Sequence, residues 1–422
     1  MDVLTVKDVK DIEAFTGGEQ PLKILFLSQR FLFPMDTGGK IRTGKILEQL
    51  SRKAELTVIS NVESPKDDPY LPEMSRLCRK FIPVPWKETE RYNLKFYLKI
   101  AAQSLSRYPI SVLNDYSPAL EQAVLEELQR ENYDLAICDF LQSTLNFRRV
   151  KNIPQLLFQH NVEATITQRH LMNAKDPVSK VFWGLQHRKM MAHEGSMCRR
   201  FDATIAVSEK DKERMEEWFS ASNVFDIPTG VDTDFFKPAE GVREKKQLVF
   251  TGSMDWLPNE DAMIYFVDKI FPLIKQAEPE TTLKIVGRKP TPSLLKLTEG
   301  RGDITTTGWV EDTRPYMAES AVFIVPIRIG GGTRMKIYEA LAMGKAMVST
   351  SVGAEGLPLA HDEQILFADD ERAFADRVIE LLRDREHRRR LGETARQYVY
   401  DHFRWEKVAD VFLDLCRQTA KG

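Results

Sequence analysis

From Leu22 the chain reads LKILFLS to Ser28, an unbroken apolar run of the kind a strand buried on both faces requires. A Pro- and Gly-rich loop, QRFLFPMDTGG, then opens into a helical pattern. The theme recurs in ELTVIS (55–60), FIPVP (81–85), DLAICD (134–139), PQLLFQHN (154–161) and DATIAVS (202–208). Helical periodicity separates most of these runs, as in LEQAVLEELQREN (120–132). Strand, helix and strand at this spacing predict parallel units covered on both faces.

After IPTGVDTDFFKPAEGVREKK, a stretch of turn formers and charge, the cycle restarts. QLVFTGS (247–253), TLKIVGR (282–288), DITTTGWV (303–310), AVFIVPI (321–327), KAMVSTS (345–351) and QILFADD (364–370) follow in turn. The pattern predicts an α/β protein of two doubly wound domains joined at residues 228–245. The first is expected over 1–230, the second over 231–395. Residues 396–422 are expected to form a helix crossing back to the first domain, with Trp405, Val408, Phe412 and Leu415 on its packing face. Ligands of such sheets bind beyond the carboxyl ends of the strands. Two such domains facing each other make a cleft, and the loops that follow strands are where chemistry is sought.

Composition changes this picture little. The 422 residues suffice for two cores, and 42% hydrophobic with 29% charged residues fits a soluble globular chain. A net charge of −2 supplies no global pull towards nucleic acid. Cys78, Cys138, Cys198 and Cys416 are isolated, without metal-ligand spacing, and suit a reducing cytoplasm. The opening MDVLTVKDVKDIEAF carries acids throughout and is not read as a secretory signal, and no apolar run approaches a membrane span. The basic run RDREHRRR (383–390) reads as a solvated helix face.

The loop after AVFIVPI is unusual. Gly330, Gly331 and Gly332 stand directly ahead of Thr333, Arg334, Met335 and Lys336, with Glu339 one turn further on. Glycines let a ligand approach the backbone, and a helix start offers unpaired N–H groups and partial positive charge. Two cations there disfavour the helix by roughly 0.3–1 kcal/mol each, a misfit that an anionic ligand resolves. Arg holds phosphate through paired hydrogen bonds, and a carboxylate at Glu339 can accept from neighbouring ribose hydroxyls. A tight turn with a salt-bridged helix is the plainer reading; a sugar-nucleotide diphosphate site accounts for more of the residues.

The stretch EALAMGKAMVST behind this glycine loop resembles the donor-binding signature of glycosyltransferase family four. The early Gly38-Gly39, Q-H-N, A-V-S-E, I-P-T-G-V-D and T-G-S follow in the family's order, so the resemblance spans nearly the whole chain. The G-G-G-T-R-x-K pattern is most similar to bacterial exopolysaccharide-type sugar transferases. The resemblance implies the two-Rossmann GT-B fold, transfer with retention from a nucleotide-diphosphate sugar, and a carbohydrate, lipid-linked or small-molecule acceptor. It places Gly38, Gly39, Gly252, Ser253, Arg288, Gly331, Gly332, Thr333, Arg334, Met335, Lys336 and Glu339 around the donor. It sets His160 of FQHNVEAT, with Glu339, among the groups acting on the reaction, and Glu163 either supports His160 or caps the next helix. Lys40 and Arg42 add positive charge at the Gly38-Gly39 entry.

Two departures stand out. The family often has two glutamates seven residues apart; here the second is Glu339 and the first falls on Gly331. The loop TGSMDWLPN also lacks the cations often found after the first strand of the second domain, so Arg334, Lys336 and Arg288 are expected to replace them. No D-x-D or paired Cys/His spacing offers a metal cage, so neither metal nor cofactor is expected. A GT-B protein that binds nucleotide or glycan without transfer, and a sugar-nucleotide epimerase, are the alternatives. Residues 86–109 and 180–200 mix aromatics with Lys and Arg. They suit core-packing helices or peripheral contact with an anionic membrane at its cytoplasmic face.

Overall fold

The apolar runs assemble into two sheets. The structure, a computed structural model, describes residues 4–5, 21–87, 94–329 and 335–421. The chain divides into one unit of Met1–Pro228 with Val408–Gly422 and a second of Thr229–Lys407.

The first unit holds eight described strands: β1 (Leu4–Thr5), β2 (Lys23–Ser28), β3 (Glu55–Val62), β4 (Lys80–Pro85), β5 (Leu135–Asp139), β6 (Gln155–Phe158), β7 (Ala203–Ala206) and β8 (Val224–Asp226). Their order is β1-β4-β3-β2-β5-β6-β7-β8, parallel except for β1 against β4. Leu25, Phe26 and Leu27 on β2 and Ala136, Ile137 and Cys138 on β5 are fully buried, as the continuous apolar runs require. A buried leucine or phenylalanine of this kind stabilises the fold by about 1.5–3 kcal/mol. The strand order turns back between β2 and β5, whose last residues Ser28 and Asp139 stand opposite each other. Such a reversal opens a crevice at the carboxyl ends of the strands.

The second unit holds β9 (Lys245–Thr251), β10 (Thr282–Val286), β11 (Ile304–Thr306), β12 (Ser320–Val325), β13 (Met347–Ser349) and β14 (Leu366–Phe367). All are parallel, in the order β11-β10-β9-β12-β13-β14, and this order reverses between β9 and β12.

Three features differ from the sequence reading. Strand β1 precedes the first strand expected and runs antiparallel to β4. Strand β8 was not legible, because only Val224 of its three residues is buried. The helix expected over 396–422 is instead two helices, Arg385–His402 and Trp405–Lys421. The break falls where the Phe403 carbonyl accepts the Val231 N–H at 2.7 Å instead of continuing a helical ladder. Beside it the Trp405 indole lies so close to Gly230 that a Cβ there would come within 2.6 Å. Of the last helix, Val408 onwards belongs to the first unit, where Phe412 meets Phe158 edge-on at 5.0 Å and Asp410 pairs with Lys53. The basic run is laced with ion pairs: Arg383 to Glu278, Arg388 to Glu244, and Arg389 to both Glu386 and Glu393.

Candidate functional site

In the second unit the loops after β9 and β10 touch through their backbones. Gly252 (φ 157°) lies against Gly287 (φ 154°), and a Cβ on Gly287 would fall 1.7 Å from the Gly252 carbonyl oxygen. Both positions therefore demand glycine. The Gly252 N–H donates to Val286 and the Met254 N–H to Arg288, each at 3.0 Å, which ties the two loops together.

Lys336 comes to the same place from the helix Met335–Ala342, where Met335 is the first described residue. Its ammonium donates to Asn259 Oδ1 at 2.8 Å and lies 3.9 Å from the Phe250 ring centroid. A Cβ on Gly252 would come within 2.7 Å of that nitrogen. Arg288 Nε donates to Ser253 Oγ at 2.9 Å. The fold thus gathers Gly252, Ser253, Arg288 and Lys336 at the carboxyl ends of β9 and β10. Glu339 sits three residues beyond Lys336 on one helix face; burial pushes its carboxyl up to about 7, against a smaller opposing pull from Lys336. Gly331, Gly332, Thr333 and Arg334 lie outside the described residues.

In the first unit a polar cluster occupies the strand reversal. Asp139, wholly buried at the end of β5, accepts from Ser28 Oγ at 3.3 Å and Thr43 Oγ at 3.0 Å. Its other oxygen stands 2.7 Å from His160 Nε2. The imidazole stacks on Phe140 at 4.0 Å and meets Phe158 at 4.6 Å. Burial pulls the His160 pKa down, and Asp139 opposes that pull.

Phe140 holds φ 64° and ψ 141°, backbone angles that cost an L-residue energy and persist only where packing imposes them. Its ring covers Gly39, where a Cβ would fall 2.6 Å from the Phe140 Cζ. Gly38 and Gly39 themselves form the first turn of the helix Gly38–Leu50.

Two neighbouring assignments need correction. Arg42 adds no charge at the entry: it is buried under Phe158 and donates to the carbonyls of Gln159 and Ile227. Glu163 neither supports His160 nor caps a helix; its side chain bonds Gln142, and its own N–H is taken by Glu194 at 3.0 Å.

Residues 45–235 match the model of Glycosyltransferase Family 4, and residues 245–384 that of Glycosyl transferases group 1. The chain belongs to these glycosyltransferases. The transferase is 21% identical over 401 residues to a protein of Klebsiella pneumoniae described as an uncharacterized 44.6 kDa protein in the cps region, covering 92% of this chain and 97% of that one. Over 241 residues it is 27% identical to a GDP-mannose-dependent phosphatidylinositol monomannoside mannosyltransferase of Mycobacterium tuberculosis, covering 51% of this chain and 62% of that one. Its fold is the GT-B fold: sucrose-phosphate synthase from Thermosynechococcus elongatus superposes with a TM-score of 0.69 at 18% identity, covering 95% of this chain and 99% of that one.

Sequence reasoning on this transferase missed Asp139 and Phe140. The signal for Asp139 was present, since an acid closing the apolar run DLAICD stands where a parallel strand delivers side chains to ligands. Phe140 left no signal, because only the folded backbone sets its conformation.

Proposed function

We propose that this transferase moves a sugar from a nucleotide-diphosphate donor to a carbohydrate or lipid-linked acceptor, with retention at the anomeric carbon. The observation that carries the reading is Lys336: a helix-start ammonium held beside Gly252 and Gly287, at a point where side chains are excluded. A diphosphate approaching those bare loops meets Lys336 and Arg288, and the glycine loop with Arg334 adjoins them in sequence. Charge so placed favours departure of the nucleoside diphosphate, because it acts where negative charge develops. Glu339 is assigned to the ribose hydroxyls. In the first unit His160, oriented by Asp139, is assigned a hydrogen bond to the transferred sugar or to the acceptor. The Mycobacterium relative's dependence on GDP-mannose supports the donor class.

The test is calorimetric titration of UDP and GDP into the full chain. Lys336→Ala is expected to weaken the tighter of the two by about 1.5–3 kcal/mol, the worth of a charge-assisted hydrogen bond. Unchanged affinity would remove the diphosphate role.

We also propose peripheral membrane contact through the helices Glu163–Asn173 and Pro177–Arg200. Met172, Val178 and Val181 are 77%, 78% and 73% exposed, next to the exposed cations Lys175 and Lys180. Apolar side chains flanked by lysines match an anionic lipid surface.

A further inference from the structure

The side chain of Asn259, 3% exposed on the helix Leu257–Tyr265, lies between Lys336 and the loop that follows β9. Its Nδ2 donates to the Ser253 carbonyl at 2.8 Å, and its Oδ1 accepts from the Lys336 ammonium at 2.8 Å. The two bonds fix which end of the carboxamide faces the lysine. Turned over, it would set N–H groups against an ammonium and an oxygen against a carbonyl. A Cβ added to Gly252 would come within 2.7 Å of both Asn259 Nδ2 and Lys336 Nζ, so the bare backbone of that loop lies directly against the pair.

Both of these supports are neutral. Asn259 carries no charge, and the buried Phe250 ring, 3.9 Å from the ammonium, offers only the negative face of its π-system. Two other lysines drawn in from solvent are met differently: Lys80 stands against Glu127 at 2.7 Å and Lys345 against Glu244 at 2.6 Å. A carboxylate neutralises the lysine it holds and repels an incoming phosphate. An amide holds the lysine and leaves its positive charge to act on what arrives. Glu339, on the same helix, is pushed up to about 7 by burial, so near neutral pH its charge opposes Lys336 only in part.

A lysine side chain is otherwise mobile, and ordering it during binding costs affinity. Contacts made by the protein itself remove that cost before a ligand arrives. Charge fixed in advance is also the kind that acts without reorganisation as negative charge develops on a leaving group.

We propose that Asn259 is a positioning residue for Lys336, holding the ammonium over Phe250 and against the Gly252 loop through a neutral amide that leaves its charge for the diphosphate. The proposal rests on the diphosphate role given to Lys336 above and adds the residue that keeps it in place.

The experiment is a double-mutant cycle on the full-length chain, read by calorimetric titration of UDP and GDP. Asn259→Ala is expected to weaken the tighter nucleotide about tenfold, at the low end of what a charge-assisted hydrogen bond supplies. In a Lys336→Ala background the same substitution is expected to change affinity less than about twofold, since it then has no ammonium to position. Asn259→Asp keeps an oxygen towards Lys336 but cancels its charge, and is expected to lose at least as much as Asn259→Ala. Asn259→Ser takes the place of alanine in the cycle if the alanine variant fails to fold, since its short hydroxyl side chain cannot make both bonds. Equal losses in the two backgrounds, or wild-type affinity in Asn259→Ala or Asn259→Asp, would overturn the proposal. A wild-type chain that binds neither nucleotide, or a Lys336→Ala chain that binds as wild type, would instead remove the diphosphate reading beneath it.

Discussion

At the end of β5 three donors converge on one buried carboxylate, Asp139, and one of them is the imidazole of His160. An asparagine there keeps the shape but offers a single oxygen, so it cannot accept from all three. Asp139→Asn is therefore expected to lower turnover about 10²-fold while leaving UDP and GDP affinity unchanged, and His160→Ala to do the same. The double variant should be little worse than either single one, since both act through one pair. Wild-type turnover in the single variants would reduce the pair to packing. Glu339 carries a second expectation at this scale. Its folded pKa lies at about 7, above the ordinary 4.5, so the folded chain binds more protons than the unfolded chain between those values. Its contribution to stability is full below about pH 4.5 and is lost as pH rises through 7. Glu339→Gln should thus gain about 1–2 kcal/mol relative to wild type between pH 5 and pH 8. Urea unfolding at the two pH values would show it; parallel pH profiles would refute it.

Among the helices, several described starts are capped locally. Asp176, Ser208, Thr291, Asp370 and Asp384 each accept an N–H from the first turn that follows them. The helix Glu163–Asn173 has Val162 at its cap position and no such bond. Its first N–H groups go to Glu194 in the helix Pro177–Arg200, at 3.0 Å from Glu163 and 2.7 Å from Ala164. Burial raises the Glu194 pKa to about 8. Glu194→Ala leaves the buried Ala164 N–H and the part-buried Glu163 N–H unpaired and is expected to cost about 2–3 kcal/mol. Glu194→Gln keeps an acceptor and should cost less. Denaturant midpoints measure both, and an alanine variant as stable as wild type would dismiss the cap.

For the molecule as a whole, the net charge of −2 supplies no global pull towards an anionic surface, so any such contact is local. Among the described residues no helix is long and apolar enough to cross a membrane. The exposed Val178 and Val181 with Lys175 and Lys180 are the face proposed above for adsorption to anionic lipid. Sedimentation with phosphatidylglycerol vesicles is expected to carry the chain down at low salt, and phosphatidylcholine vesicles to leave it in solution. Val181→Glu with Lys180→Glu should abolish the difference, and salt should weaken the binding, as charge screening requires. Equal sedimentation by wild type and variant would rule this face out.

The apolar runs of the chain sufficed to predict the two parallel sheets, because a strand buried on both faces must be apolar throughout. The glycine-bearing loops and Lys336 were legible for a related reason: bare backbone and a cation at a helix start are local misfits that only a ligand or a close approach resolves. Phe140 and Glu194 were not legible, and Asp139 was legible only as an acid at a strand end. Each draws its significance from partners far away in sequence, and burial by distant segments turns an ordinary polar residue into part of an oriented dyad or a borrowed cap. The break at Phe403 and Arg404 belongs with them, since the chain on either side is helical by pattern. What ends the helix is a carbonyl claimed by Val231, more than 170 residues upstream, and that bond exists only once the fold has brought the two segments together.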